Sequence, residues 1–109
     1  MKLYEKKCSA CSGAVAPMSE ADCRRYLNEL GGNWKFIEGK QIEKSYRFPN
    51  FREALAFVDR VGTLAESEGH HPDIFLSWGL VKISLWTHKI GGLSESDFVM
   101  AAKCDKIYS

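Results

Sequence analysis

Pro49-Asn50-Phe51-Arg52-Glu53-Ala54-Leu55-Ala56-Phe57-Val58-Asp59-Arg60-Val61-Gly62-Thr63-Leu64-Ala65-Glu66-Ser67-Glu68-Gly69-His70-His71-Pro72 is the stretch that decides the fold. Asn50 is a capping residue and Glu53 stands three positions on, the start signal of a helix. Phe51, Ala54, Leu55, Val58, Val61 and Ala65 then recur at helical spacing. Run to about Gly69, this helix has ~19 residues and spans roughly 28 Å at 1.5 Å per residue. Pro72 disfavours helical geometry at His71, so the helix stops there.

Working outward, a strand pair lies on each side. Trp34–Ile37 and Ile42–Phe48 flank a turn at Glu38-Gly39-Lys40, with Ile42, Tyr46 and Phe48 on one face. Ile74–Trp78 and Leu80–Thr87 flank Gly79. In the last strand Val81, Ile83 and Leu85 point one way, and Lys82, Ser84 and Trp86 the other. Two more helices close the ends. Ser19 caps the first, with Asp22 three residues on and Met18 and Cys23 in staple positions. Its apolar face is Cys23, Tyr26, Leu27 and Leu30, and Gly31-Gly32 stops it. Ser94 caps the last, with Asp97 at the third position and Leu93 stapling onto Phe98. The order α-β-β-α-β-β-α predicts the α+β class: a four-stranded antiparallel sheet with three helices packed on one face.

The chain has 109 residues, 45% of them hydrophobic, which suits a single domain with a real core. A formal net charge of +1 gives no broad field for nucleic acid or an anionic membrane, so neither is expected as a partner. No apolar run approaches the ~20 residues that span a bilayer. The start, Met1-Lys2-Leu3-Tyr4-Glu5-Lys6-Lys7, lacks a signal-type apolar stretch, and a cytoplasmic protein is expected. Residues 1–17 read as a flexible arm and 18–109 as the domain. The arm carries a lone C-x-x-C, Cys8 and Cys11, in a small-residue segment; Cys23 and Cys104 are the other cysteines. Reduced thiols on a mobile arm are the first reading, and a structural zinc, which needs four ligands, the second.

The chemistry concentrates in Glu66-Ser67-Glu68-Gly69-His70-His71-Pro72, which holds two of the three histidines; the third is His88. Histidine gives or takes a proton near neutral pH. Glu66 and His70 are four apart and share a face if the helix persists through Gly69, so Glu66 is expected to orient His70. The break before Pro72 sends the two adjacent rings in different directions. His88 falls at the far end of the last strand and could meet the His70-His71 corner at the rim of the sheet, a meeting that spacing alone does not establish. An acid–base site ranks first, histidines capping a helix C-terminus second, and a metal site third, since no H-x-x-x-H pair is present.

These residues resemble the pterin-4α-carbinolamine dehydratases. That family's pattern is an acid, three residues and His-His-Pro, an aromatic six on, a histidine ten further and an aspartate beyond it. Glu66, His70-His71-Pro72, Trp78, His88 and Asp97 stand at those spacings, and Thr87-His88-Lys89-Ile90-Gly91-Gly92-Leu93-Ser94-Glu95-Ser96-Asp97 is similar to the family's Thr-His…Gly-Leu-Ser…Asp segment. The resemblance covers roughly Ser19 to Cys104. It implies dehydration of a 4a-hydroxytetrahydropterin to the quinonoid dihydropterin, in tetrahydrobiopterin recycling, with no metal and no organic cofactor. His71 is then the acid at the 4a-hydroxyl, and His70 and His88 position the pterin and handle the other proton. Pro72, Thr87 and Lys89 line the pocket with Glu66 behind them. Asp97 is read as a helix cap outside the catalytic set, and Trp78 as core packing. Trp86, larger than expected beside Thr87, narrows the pocket or supports an oligomer contact. The resemblance also implies a homodimer or homotetramer. The alternatives are a protein-binding, transcriptional-cofactor module of the same fold, and pterin-related support of molybdopterin enzymes.

Overall fold

Side chains open two of the helices at the positions the sequence marks. The computed structural model describes residues 2–8, 16–31 and 33–108. Ser19 Oγ accepts from the Asp22 N–H at 3.2 Å and starts α1 (Glu20–Glu29). The first hairpin follows as β1 (Lys35–Ile37) and β2 (Gln41–Arg47). Asn50 Oδ1 accepts from the Glu53 N–H at 2.9 Å and starts α2 (Phe51–Glu68). The second hairpin is β3 (Asp73–Ser77) and β4 (Leu80–Leu85), and α3 (Glu95–Tyr108) ends the chain. Cys11 and Gly32 lie outside the described residues.

The four strands form one antiparallel sheet in the order β1-β2-β4-β3. Ile42 pairs with Leu85 and Tyr46 with Val81, so both central strands turn the same alternate residues toward the helices. Ile42, Tyr46, Val81, Ile83 and Leu85 meet Ala54, Phe57, Val61 and Ala65 of α2 and Phe98, Met100 and Cys104 of α3 in the core. Full burial of Phe57 alone stabilises the fold by ~1.5–3 kcal/mol. Tyr46 enters the core with its hydroxyl satisfied, donating to Asp105 Oδ1 at 2.6 Å.

The helical spacing of α2 resolves into one buried row, and two expectations need correction. The buried row of α2 is Ala54-Phe57-Val61-Ala65, while Phe51 and Leu55 are exposed. Leu55 lies about 100° round the helix from Ala54, off the sheet-facing side. Trp78 is not core: it is 66% exposed in the β3–β4 turn. Gly79 seats that turn against Phe48, its carbonyl accepting the Phe48 N–H at 2.9 Å, and the indole points away. Finally, residues 3–8 are not a free arm. Leu3–Glu5 form a 3₁₀ turn, Leu3 is buried, and the Tyr4 carbonyl accepts from Lys103 Nζ of α3 at 3.0 Å.

Candidate active site

The site is built where the end of α2 meets the start of α3. Gly69 takes a left-handed conformation, φ +65°, and its N–H returns to the Ala65 carbonyl. The His70 N–H reaches the same carbonyl at 3.2 Å. This capping turn gives the Ala65 carbonyl two donors and swings the chain off the helix axis. His70 therefore leaves the face that Glu66 occupies.

The expected Glu66–His70 pair is accordingly not formed. Glu66 Oε2 lies 2.5 Å from Nε2 of His71, the next ring, and both side chains are exposed. His70 turns inward instead, with Nε2 2.7 Å from Asp97 Oδ1. Its side chain is 12% exposed and that of Asp97 is 0% exposed. Two adjacent histidines thus hold two different carboxylates, one pair buried and one open.

Asp97 does more than cap α3. Its Oδ2 accepts the Ser94 N–H at 2.9 Å, the reach-back of a capping acid to the helix start. The same oxygen accepts the Thr87 hydroxyl at 2.7 Å. The Ser94 and Thr87 hydroxyl oxygens stand 2.9 Å apart. Oδ1 is left for His70. With the carboxylate as acceptor, Nε2 of His70 carries the hydrogen, the arrangement that in a neutral ring leaves the lone pair on Nδ1. Asp97 was visible in the sequence as part of the motif, but capping accounts for only one of its two oxygens.

Thr87 is buried and bridges Gly92, its N–H donating to the Gly92 carbonyl at 2.8 Å. β4 has ended two residues earlier, so His88 opens a short 3₁₀ turn, His88–Ile90, rather than ending a strand. Its ring packs against that of Trp86, centroids 4.0 Å apart and planes tilted by 35°. Hydrogen bonds therefore join His70, Asp97, Thr87 and Ser94 in one cluster and Glu66 with His71 in another. Among the described residues none ties His88, Lys89 or Pro72 to either. Lys89 is exposed beside His88, and Pro72 is half-buried just ahead of β3.

The surroundings are acidic and tightly paired. Glu68, the last residue of α2, is held below its ordinary pKa of 4.5 by the Cys8 N–H and then by Lys103. Cys8 is pushed up to about 12 by burial and by Glu68, which keeps it a thiol at neutral pH. Cys104, buried in the core, is also pushed up to about 12. Among the described residues, no three His, Cys, Asp or Glu side chains are arranged to hold a metal ion. A cleft of about 680 Å³ lies elsewhere, lined by Lys2, Tyr4, Glu29 and Leu30 among others, and none of the three histidines lines it.

Known proteins resemble the chain over nearly its whole length. A family model described as pterin 4 alpha carbinolamine dehydratase matches residues 16–107. A relative from Alkaliphilus metalliredigens, provisionally named pterin-4-alpha-carbinolamine dehydratase, is 55% identical over 104 residues, 95% of this chain and 94% of its own. One from Rubrobacter xylanophilus with the same provisional name is 49% identical over 106 residues, 97% of this chain and 98% of its own. A solved structure from Brucella melitensis, described as a transcriptional coactivator/pterin dehydratase, superposes with a TM-score of 0.80 at 30% identity, covering 85% of this chain and 99% of that one.

Proposed function

The chain belongs to the pterin 4 alpha carbinolamine dehydratase family, a family of hydro-lyases, and from that premise we propose that its two imidazole–carboxylate pairs divide the two proton transfers of the dehydration. The substrate is a 4a-hydroxytetrahydropterin. The C4a–O bond breaks as that oxygen gains a proton and leaves as water. The N5 lone pair forms the C4a=N5 double bond, and N5 gives its proton to a base. The product is the quinonoid dihydropterin, with atoms and charge balanced.

His71 is the acid. Glu66 takes its Nε2–H and turns the ring, and in its imidazolium form the ring donates the Nδ1 proton to the leaving hydroxyl. His70 is the base at N5, with Nδ1 free because Asp97 holds the hydrogen on Nε2. His88, packed against Trp86 one residue after Thr87, positions the pterin together with Thr87, Lys89 and Pro72. The buried His70–Asp97 pair carries this reading. A carboxylate committed at both oxygens cannot turn, so it fixes one imidazole tautomer, as the orienting member of a base–carboxylate pair does.

Direct measurement of carbinolamine dehydration, with and without a chelator, tests the proposal. His71→Ala and His70→Ala each lower turnover by at least ~10²-fold, the low end of general acid–base effects, while circular dichroism stays unchanged. Full turnover in either variant sinks its assigned role, and activity lost to chelator sinks the metal-free reaction. The cytoplasm and tetrahydrobiopterin recycling are the proposed setting. Among the described residues, no helix is long and apolar enough to cross a membrane.

The assembly proposed is a homo-oligomer joined at β3. This edge strand and its turn expose Ile74, Phe75 and Trp78, and an apolar open edge invites pairing with another copy. Light scattering that finds only monomer at micromolar concentration refutes it. The name of the Brucella structure favours a second reading, a partner-binding role on the same fold. A binding partner retained by a triple-histidine variant, with no dehydratase activity in the parent, would establish that reading instead.

A further inference from the structure

Two bridges span the junction between the end of α2 and the start of α3. One is the His70–Asp97 pair. The other runs through the N-terminal segment, and the dehydratase motif contains none of it. The Cys8 N–H donates to Glu68 Oε1 at 2.8 Å, and the Cys8 thiol donates to the Ser96 carbonyl at 3.6 Å. Glu68 is two residues before His70, and Ser96 is the residue before Asp97. The second bridge therefore holds a side-chain carboxylate at the end of α2 and a backbone carbonyl at the start of α3, beside the first.

Its anchors are not incidental surface contacts. Glu68 Oε2 lies 3.8 Å from Lys103 Nζ, with the two side chains 14% and 17% exposed. Lys103 also holds the Tyr4 carbonyl. Leu3 is buried in the core cluster, and Lys106 Nζ sits 4.8 Å from the centre of the Tyr4 ring. At the α3 start, Lys6 Nζ lies 3.3 Å from Glu95 Oε2, and the Tyr26 hydroxyl donates to the same oxygen at 2.7 Å. One short segment thus ties α2, α3 and, through Glu95, α1 together beside the site.

We propose that Lys2–Cys8 is a clamp that sets the spacing of His70 and Asp97, and that Glu68 is its positioning residue. The physical need is plain: a general base must sit within hydrogen-bond reach of its proton, and a misplacement of ~1 Å can cost about 10²-fold in rate. His70 follows a left-handed glycine and so has no helix to hold it. Its place depends on the last turn of α2, and Glu68 pins that turn to α3.

This proposal rests on the catalytic reading of His70 above, so its test has a readout independent of turnover. The parent should show a downfield ¹⁵N-coupled proton signal for the Nε2–H of His70 against Asp97. Glu68→Ala should weaken or shift that signal and lower kcat about tenfold, part of the range that misplacement allows, with KM little changed. Glu68→Gln keeps an acceptor for the Cys8 N–H and should restore most of both. If Glu68→Ala does not fold, Lys103→Met removes the α3 side of the clamp and is read in the same two ways. An unchanged signal with parental kcat in the alanine variant, or a glutamine variant as impaired as the alanine one, overturns the clamp. A fully active His70→Ala would overturn the catalytic reading while the signal still decides the clamp.

Discussion

Asp97→Asn separates a helix cap from a residue that orients a base. Asp97 Oδ2 takes the Ser94 N–H and the Thr87 hydroxyl, and Oδ1 faces Nε2 of His70 at 2.7 Å. The Thr87 hydroxyl can rotate, but the Ser94 backbone N–H cannot, so the asparagine carbonyl must take the Oδ2 place. Its NH₂ then points at Nε2. Two donors face each other unless the imidazole moves its hydrogen to Nδ1, and that move removes the lone pair proposed to receive the N5 proton. Loss of one proton-transfer group costs ~10²–10⁴ in rate, or about 2.7–5.4 kcal/mol at 1.36 kcal/mol per decade. The fold suffers less. The Ser94 and Thr87 donors keep an acceptor, now neutral, at a cost on the order of 1–2 kcal/mol. That corresponds to a fall in Tm of roughly 5–15 °C for a domain near this size. The assay is carbinolamine turnover at a temperature where the variant is fully folded by circular dichroism. A kcat within about threefold of the parent would refute the orienting role and return Asp97 to capping alone, since the general-base term is at least ~10².

Three further outcomes follow from the geometry. Glu66→Gln should leave Tm almost unchanged, because an exposed ion pair is worth ~0–1 kcal/mol, yet lower kcat measurably by releasing the His71 ring; equal losses in both would mean the pair is structural. Glu68 and Glu95 sit below their ordinary pKa, Glu68 through the Cys8 N–H and Glu95 through the Tyr26 hydroxyl, so they stabilise the fold fully above the carboxylate range and less as pH falls through their lowered values. Chemical denaturation followed downward from pH 6 should show stability falling below about pH 4.5, less steeply in Glu68→Gln; parallel curves would remove Glu68 from the acid response. Gly79→Ala should destabilise by ~1–3 kcal/mol, since a Cβ there meets the Phe48 carbonyl oxygen at 2.8 Å; an unchanged denaturant midpoint would show that the β3–β4 turn yields without loss.

The legible parts of this protein are the local ones. Ser19 and Asn50 act on donors three residues away, so their caps and the helices they open could be read from the chain. The α-β-β-α-β-β-α order followed from those caps and from period-two strands. The partners of the histidines were legible only as far as the helix is regular. Four residues from Glu66 is His70 on an unbroken helix, but Gly69 breaks it, and the carboxylate meets the ring five residues away. Asp97 lies 27 residues from His70, and no spacing rule reports where the second oxygen of a capping acid points. Trp78 faces out because the Phe48 N–H, at the end of a different strand, holds its turn through the Gly79 carbonyl, and Leu3 is buried because α3 offers a seat to an apolar residue in a largely charged run.

In each of these cases the missing information is how α2, α3 and the second hairpin pack against one another. That packing also decides the chemistry. The sequence motif offers three histidines, and any of them has a suitable ring. The roles separate only when the start of α3 puts a buried carboxylate on His70 and leaves His71 to an exposed one. In the proposed mechanism, which ring is base and which is acid is therefore a property of the helix junction, and residues that hold the junction would act on the reaction without touching the pterin. Glu68 and the segment that grips it lie outside the motif for the same reason: they fix the distance between two of its members rather than supply a third.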